Sequence, residues 1–338
     1  MQLLRLFTTF ILSLLNIAVS PQARPVPVVS PSPSVAPVTY EKIFDQMIDD
    51  EILNNTTTIL TTGDVIPGRT VNFKMTQSHD FTLPFHNTAA FLKNSDLTII
   101  NLEAPLTVNC PVTTEGMVFC GNPRFTEGML YAGIDVATMG NNHSLNYGWD
   151  GLDQTEKLLA DTGILTAGFN RTAISNLSVK TVKELDVGIL AYNILDNPDR
   201  QIILAEIKNA KKEVDFLIVA FHWGAEYVKY PAAETRQLAY DAIDSGADLI
   251  AGNHPHWIQP IEVFKDKLII YAHGNFIFDQ EWSEETKTGI IVKTYMSGGK
   301  IADAEVIPIY ISNFNQPEIL TGKKKEAVLN LVREISTQ

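Results

Sequence analysis

The chain has 338 residues, 45% of them hydrophobic and 19% charged, with a formal net charge of -13 at pH 7. It is long enough to bury a full core as one large domain, alone or with a small appendage. The acidic balance argues against nucleic acid as a partner, since nucleic-acid binders carry a basic patch, and against electrostatic capture by anionic lipid.

Arg5 precedes an apolar run over 6–19 that is too short and too interrupted by Thr, Ser and Asn to span a bilayer. Residues 1–20 therefore read as a targeting segment. It is either cleaved after Ala18-Val19-Ser20 or kept as a membrane anchor over residues 4–20. Both readings export the protein to the cell envelope or beyond. Residues 21–39, PQARPVPVVSPSPSVAPVT, have no helical or alternating period. Proline fixes φ and removes donors, so this tract should be an extended spacer, or a passive leader, that builds no core. The Pro-rich linker and a lead-in helix are taken to run over 21–55, the main domain over 56–315 and a C-terminal helix over 316–338.

From residue 56 onward, short apolar runs alternate with helical patterns. Strands are expected at 57–63, 97–101, 134–139, 187–193, 215–222, 248–252 and 268–273. Helices are expected near 84–94, 125–132, 150–162, 201–213 and 232–246, the last ending on Gly246 as a C-cap. Segments 288–296 and 303–311 read as antiparallel strands, which makes the class α/β with mixed sheets. Cys110 and Cys120 both lie in NCPVTTEGMVFC. An even count at short spacing argues for a disulfide closing a surface loop in an oxidising compartment. With no neighbouring His, a zinc site is the weaker reading.

Asp64, Glu103, Asn142-His143, His222 and His254-Pro255-His256 each stand just past a strand-like run. In a doubly wound sheet the carboxyl ends of the strands open onto one crevice. Two acids, an amide and several imidazoles there form a ligand set for one or two divalent ions. Asn101 and Glu103 fall on one side of an extended segment at period two. Asn142 offers a neutral oxygen ligand, and His143 beside it an imidazole for acid–base chemistry. His222 taken alone reads more readily as a satisfied core histidine. The two imidazoles flanking Pro255 are the stronger signal. Arg69 could neutralise a substrate phosphate or carboxylate through its planar fork, or serve in a surface salt bridge.

The blocks GDVIPGR, NLEAPLT, GNNHSLNYGWDGL, FHWGAEY, GADLIAGNHPHWIQPIEVF and YAHGNFIFDQ follow one another within residues 57–310. In that order they resemble the CapA family of capsule-biosynthesis proteins, which is associated with poly-γ-glutamate and related in fold to calcineurin-like metallophosphoesterases. The resemblance implies a four-layer αββα sandwich of mixed sheets with its site at the strand ends. It would make Asp64 a ligand of a first metal and Glu103 the bridging carboxylate. Asn142 and His222 would hold a second metal with His254 beside it, His256 would join the first, and His143 would be the acid–base imidazole. Two departures stand out. The superfamily's Asp-x-His is Asp64-Val65-Ile66 here, and Glu103 replaces the usual bridging Asp. The first metal is thus one ligand poorer, which leaves single-ion occupancy open. His273, where the family tends to have Ser-Leu against Ala272-His273, either replaces the missing imidazole or is a partly exposed histidine.

The implied chemistry is metal-assisted hydrolysis, in which coordination lowers the pKa of water from about 15.7 toward 7. Mixed oxygen and imidazole ligands suit Mn, Fe or Zn better than Mg or Ca. Two function classes remain. One is an exported metallohydrolase acting on a phosphoester, or on an amide or ester of an envelope polymer. The other is a non-catalytic assembly or anchoring factor holding an anionic polymer, with membrane-bound capsule synthesis machinery as its partner. His143 beside Asn142 favours chemistry. An amidohydrolase would carry its His-x-His early, whereas here it comes late.

Overall fold

In the computed structural model, which describes residues 38–45, 56–169 and 176–337, neighbouring residues of the central strands go to different cores. The first strands are β1 (Thr57–Val65), β2 (Leu97–Leu102), β3 (Val136–Thr138), β4 (Leu165–Ala167), β5 (Ser178–Val182), β6 (Leu185–Asn193) and β7 (Phe216–His222). They are followed by β8 (Leu249–Asn253), β9 (Ile261–Phe264), β10 (Lys267–Ile270), β11 (Asn275–Ile277), β12 (Thr288–Ser297), β13 (Lys300–Ser312) and β14 (Gln316–Ile319). One sheet has eight strands in the order β14-β13-β12-β1-β2-β3-β4, with β11 also on β1; the other has six in the order β5-β6-β7-β8-β10-β9.

Period-two alternation sorts the side chains into layers. Ile59, Ile99, Ile189, Ile218, Leu249 and Ile290 meet in one core between the sheets. Their neighbours Leu60, Ile100 and Ile291 face the other way, against Val71, Met75, Phe125, Met129 and Leu159. Those five belong to the helices Arg69–Ser78, Phe125–Ala132 and Gly148–Thr162. In the second sheet, Leu190, Val219 and Ile250 pack on Ile203, Ile207, Leu238 and Ala242, from the helices Arg200–Ala210 and Ala233–Ser245. Helix, sheet, sheet, helix is the expected αββα order. Burying each such side chain contributes roughly 1.5–3 kcal/mol before entropy is counted.

Several local expectations need correction. The helix expected near 84–94 is a 3-10 turn at Leu83–Phe85 and a separate short helix at Ala89–Leu92. Pro84 opens the turn, and its missing N–H suits a helix start but not an interior. The helix at 201–213 ends at Ala210. The strand at 268–273 stops at Ile270; His273 leaves the ladder for an isolated bridge with Ile258. Helix Arg69–Ser78 and the strands β4, β5, β9, β11 and β14 were not anticipated. Residues 316–319 are β14 rather than helix, and the terminal helix occupies Gly322–Ser336. That helix contacts both β13 and β9, and its Leu329, Val332 and Ile335 enter the inter-sheet core.

The spacer reading also fails at its end. Val38 is 1% exposed and belongs to the same core as Ile43 and Phe44 of the helix Tyr40–Asp45. The targeting segment, the rest of the tract up to residue 37, and residues 46–55 lie outside the described residues. No helix among the described residues is long and apolar enough to cross a membrane.

Strands β1, β2, β3 and β4 run parallel, as do β6, β7, β8 and β10. Their carboxyl ends carry the residues singled out above.

Candidate metal centre

Asp64 lies where the β1–β2 register shifts between Thr61 and Asp64. At Gly63 the backbone runs so close to Gly274 that a Cβ would sit 2.0 Å from its carbonyl oxygen. Only glycine permits that approach, and it lets Asp64 N–H donate to Gly274 O at 3.0 Å. The Asp64 carboxylate is fully buried. It accepts from Asn101 Nδ2 at 2.8 Å and from His256 Nδ1 at 3.0 Å. Asn101 is itself held through Oδ1 by Asn141 Nδ2 at 3.1 Å. Glu103, one pleat past Asn101 and also fully buried, brings Oε1 to 3.3 Å from His222 Nε2 and 4.0 Å from His143 Nε2.

Three overlapping triads result: Asp64, Glu103 and His256; Glu103, His222 and His254; and Glu226, His254 and His256. Within each, the ligand atoms all lie within 4.8 Å of one another. Glu103 Oε1, Asn142 Oδ1, His222 Nε2 and His254 Nδ1 are sealed from solvent yet have no hydrogen-bond partner. Leaving such an atom unsatisfied costs about 1–3 kcal/mol, and three of the four, on Glu103, His222 and His254, belong to one triad, which calls for something that accepts their lone pairs. A divalent cation does, and the donor set fits one.

The electrostatics agree. Burial alone would raise the Asp64 carboxyl, but its hydrogen bond from His256 and the charges of His256 and His222 outweigh it and hold it below the usual range. Glu103 goes the other way, pushed well up by burial and by the neighbouring Asp64 charge. His256 is pushed up to about 9, the Asp64 hydrogen bond and the Glu103 and Asp64 charges overcoming its burial. Burial lowers His222 to about 4, and burial with the charges of His222 and His256 lowers His254 to about 3.

The remaining candidates settle as follows. His143 is lowered by burial; its Nδ1 lies 3.0 Å from Asn146 Oδ1, and its ring meets the edge of Phe119 at 4.6 Å. Asn146 Oδ1 also accepts from Phe119 N–H at 2.7 Å, which fixes it as an oxygen. His143 Nδ1 therefore carries the proton, and Nε2 turns a lone pair toward Glu103. Arg69 is ion-paired with Asp279, with Nε at 3.0 Å from Oδ1, and its guanidinium lies 5.0 Å from the rings of both Phe119 and Phe278. The side chains are 13% and 3% exposed, so the salt bridge expected at the surface is an interior one. It ties the disulfide loop to the segment after β11. Cys110 and Cys120 are bonded as expected, with Cα atoms 5.6 Å apart.

Both readings of His273 are corrected: it is fully buried, with Nε2 at 2.9 Å from Thr61 Oγ1 and Nδ1 at 2.9 Å from Gly252 O. Neither nitrogen is free to replace an imidazole. At the departing position, Ile66 packs with Ala104, Phe119 and Phe278 as an apolar wall.

The site also uses residues not singled out from sequence. Asn275 gives both Nδ2 hydrogens to Gln280 Oε1 and Thr286 O, so its Oδ1, 2.9 Å from His256 Nδ1, accepts there. Such an outer partner orients a ligand ring. Asn146, Glu226 and Asn275 all stand inside blocks quoted above, but no spacing separates them from ordinary loop residues.

Residues 58–280 match the family profile described as bacterial capsule synthesis protein PGA_cap. The capsule biosynthesis protein CapA of Bacillus anthracis is 28% identical over 301 residues, covering 81% of this chain and 72% of that protein. The PGA biosynthesis protein CapA of Bacillus subtilis (strain 168) is 28% identical over 293 residues, covering 81% and 76%. A crystal structure of a novel phosphatase from Mycoplasma pneumoniae matches with a TM-score of 0.50 at 17% identity, over 82% of this chain and 99% of that one. That likeness is one of fold alone. With residues 58–280 of 338 matched to its profile, the chain belongs to the bacterial capsule synthesis protein family, PGA_cap.

Proposed function

We propose that this protein is an exported, metal-dependent hydrolase, phosphoesterase-like in its chemistry, that works in the biosynthesis of a capsule polymer such as poly-γ-glutamate. The observation that carries the reading is the set of sealed, unpartnered atoms on Glu103, Asn142, His222 and His254. Asp64, Glu103 and His256 would hold one divalent ion, and Glu103, His222 and His254 a second, to which the family resemblance adds Asn142; the donors favour Mn, Fe or Zn. A bound ion supplies Lewis acidity toward a substrate oxygen and acidifies water.

The chain's own residues do the rest. Asn101 and Asn275 orient Asp64 and His256. Asn146 holds His143 so that Nε2 faces the centre as a proton acceptor, and its depressed pKa keeps it neutral near pH 7. Ile66, Phe119 and Phe278 exclude water from one side. Export is supported by the Cys110–Cys120 disulfide, a bond that persists in oxidising compartments. The polymer assignment is supported by the names of the relatives. The same names, capsule and PGA biosynthesis protein, also fit a second reading, a non-catalytic factor that anchors or assembles an anionic polymer alongside a membrane-bound synthesis machinery.

Elemental analysis of wild type, His254→Ala and His143→Ala, with hydrolysis assayed on a generic phosphodiester and on γ-glutamyl polymer, tests the reading. His254→Ala should lose most of its metal. His143→Ala should keep it while turnover falls about 10²–10⁴-fold. Full retention of metal by His254→Ala overturns the ligand assignment. Stoichiometric metal without hydrolysis of either substrate overturns the enzyme and leaves the assembly factor.

A further inference from the structure

We propose that Glu226 is the solvent-side ligand of the cation centre, an exchangeable carboxylate that closes the coordination shell until a substrate anion takes its place. The proposal rests on the metal-centre reading above but not on any catalytic activity.

Glu226, His254 and His256 each offer a ligand atom, and the three lie within 4.8 Å of one another. Glu226 differs from the members of the other two triads in being exposed; Asp64, Glu103, His222, His254 and His256 are all buried. His254 is 6% exposed, and its Nδ1 is sealed without a partner. A buried nitrogen with nothing to accept or donate to is an independent sign of a ligand at this spot.

The loop that carries Glu226 is fixed at both ends. Trp223 is buried, with its indole N–H donating to Tyr271 O at 2.8 Å and its backbone N–H to Asn253 O at 3.2 Å. Gly224 has φ +82°, a conformation glycine adopts without a Cβ penalty, which turns the chain back over the histidines. Tyr227 N–H then donates to Pro255 O at 2.9 Å, and Tyr227 Oη accepts from Gln280 Nε2 at 3.0 Å. Glu226 is thus held over the His254-Pro255-His256 turn rather than waving in solvent. A carboxylate here competes for the ion with the oxygens of an arriving phosphate or carboxylate, and leaves toward water when displaced.

Chelator-stripped, disulfide-intact protein titrated calorimetrically with Mn²⁺ tests this without any activity assay. Glu226→Gln should bind at least one ion about 10–100-fold more weakly, the scale found when a supporting residue of a metal site is removed. Glu226→Asp, which keeps the carboxylate, should recover part of that loss. Unchanged affinity in Glu226→Gln, or Glu226→Asp no better than Glu226→Gln, overturns the proposal. His254→Ala measured alongside separates two failures. If it too binds Mn²⁺ as wild type does, the centre itself is wrong; if it alone loses the ion, only the role of Glu226 is.

Discussion

Wedged between Thr61 and Gly252, His273 is a neutral imidazole by construction. Its Nδ1–H donates to a carbonyl, so its Nε2 accepts from the Thr61 hydroxyl. Burial lowers its pKa to about 4. Between about pH 6.5 and 4 the unfolded chain therefore takes up a proton that the folded chain refuses, and stability falls as pH falls through that window. The shift amounts to about 3 kcal/mol at most. His222 and His254 act in the same direction in stripped protein, so the comparison must be with a variant. His273→Gln keeps a donor and an acceptor but does not titrate; although less stable at pH 7, it should lose less between pH 6.5 and 4. Denaturant midpoints at both pH values check this, and equal losses in the two proteins would falsify it. An apolar run precedes His273 as it precedes the proposed ligand histidines, so that signal does not tell them apart. Only the three-dimensional placement of Gly252 and Thr61 decides its fate. Two of the three proposed ligand histidines, His254 and His256, have φ of 97° and 57°. Such backbone costs on the order of 1–3 kcal/mol per residue and persists where surrounding structure enforces it.

At the scale of elements, strands were legible wherever residues went alternately to two apolar cores. Runs such as 216–221 are buried on both faces, so their continuous hydrophobicity matches a central parallel strand. Short edge strands such as β5 and β14 lacked that signal because only one residue of each, Val182 and Pro317, is buried. Helix Arg69–Ser78 was missed because it buries little besides Val71, Asn72 and Met75. The loop closed by Cys110–Cys120 was legible from cysteine spacing alone; its contact with the centre was not. Its Phe119 N–H donates to Asn146, which holds His143, and its ring meets His143 itself. Replacing both cysteines by serine should cost about 2–3 kcal/mol of stability, from loop closure over a short span. At roughly 2–4 °C per kcal/mol for a domain of this size, thermal melting in non-reducing buffer should fall by several degrees. On the proposed hydrolase reading, turnover should fall with it as His143 loosens. An unchanged melting temperature would show that the loop is held by its packing and not by the bond.

For the whole molecule, a net charge of -13 sets a problem for a protein whose proposed ligand is an anion. Charges farther than a Debye length, about 8 Å at physiological salt, are largely screened, so attraction has to be generated locally. The proposed cation centre is where that would happen, and the residues that would ligate it come from positions 64 to 256. Binding is therefore confined to the folded chain, and an ion at 100 times its Kd should add about 2.7 kcal/mol. The two buried triads differ in what they must give up. His222, near 4, and His254, near 3, are already neutral at pH 7. His256, near 9, holds a proton in stripped protein, and Glu103 is raised as well. That proton stabilises the ion-free fold below about pH 6.5, and its contribution is lost as pH rises through 9. An ion that takes His256 as ligand must displace it. The apparent affinity for Mn²⁺ should thus rise about tenfold per pH unit between pH 7 and 9 for the site that uses His256, and flatten above. For the site built on His222 and His254 the dependence should be weaker, reflecting only the shared Glu103. Calorimetry at pH 7 in buffers of different ionisation enthalpy should detect at least one proton released per His256-bound ion. Affinity independent of pH over that range, with no proton released, would mean that His256 does not ligate and that the centre holds a single ion on Glu103, His222 and His254.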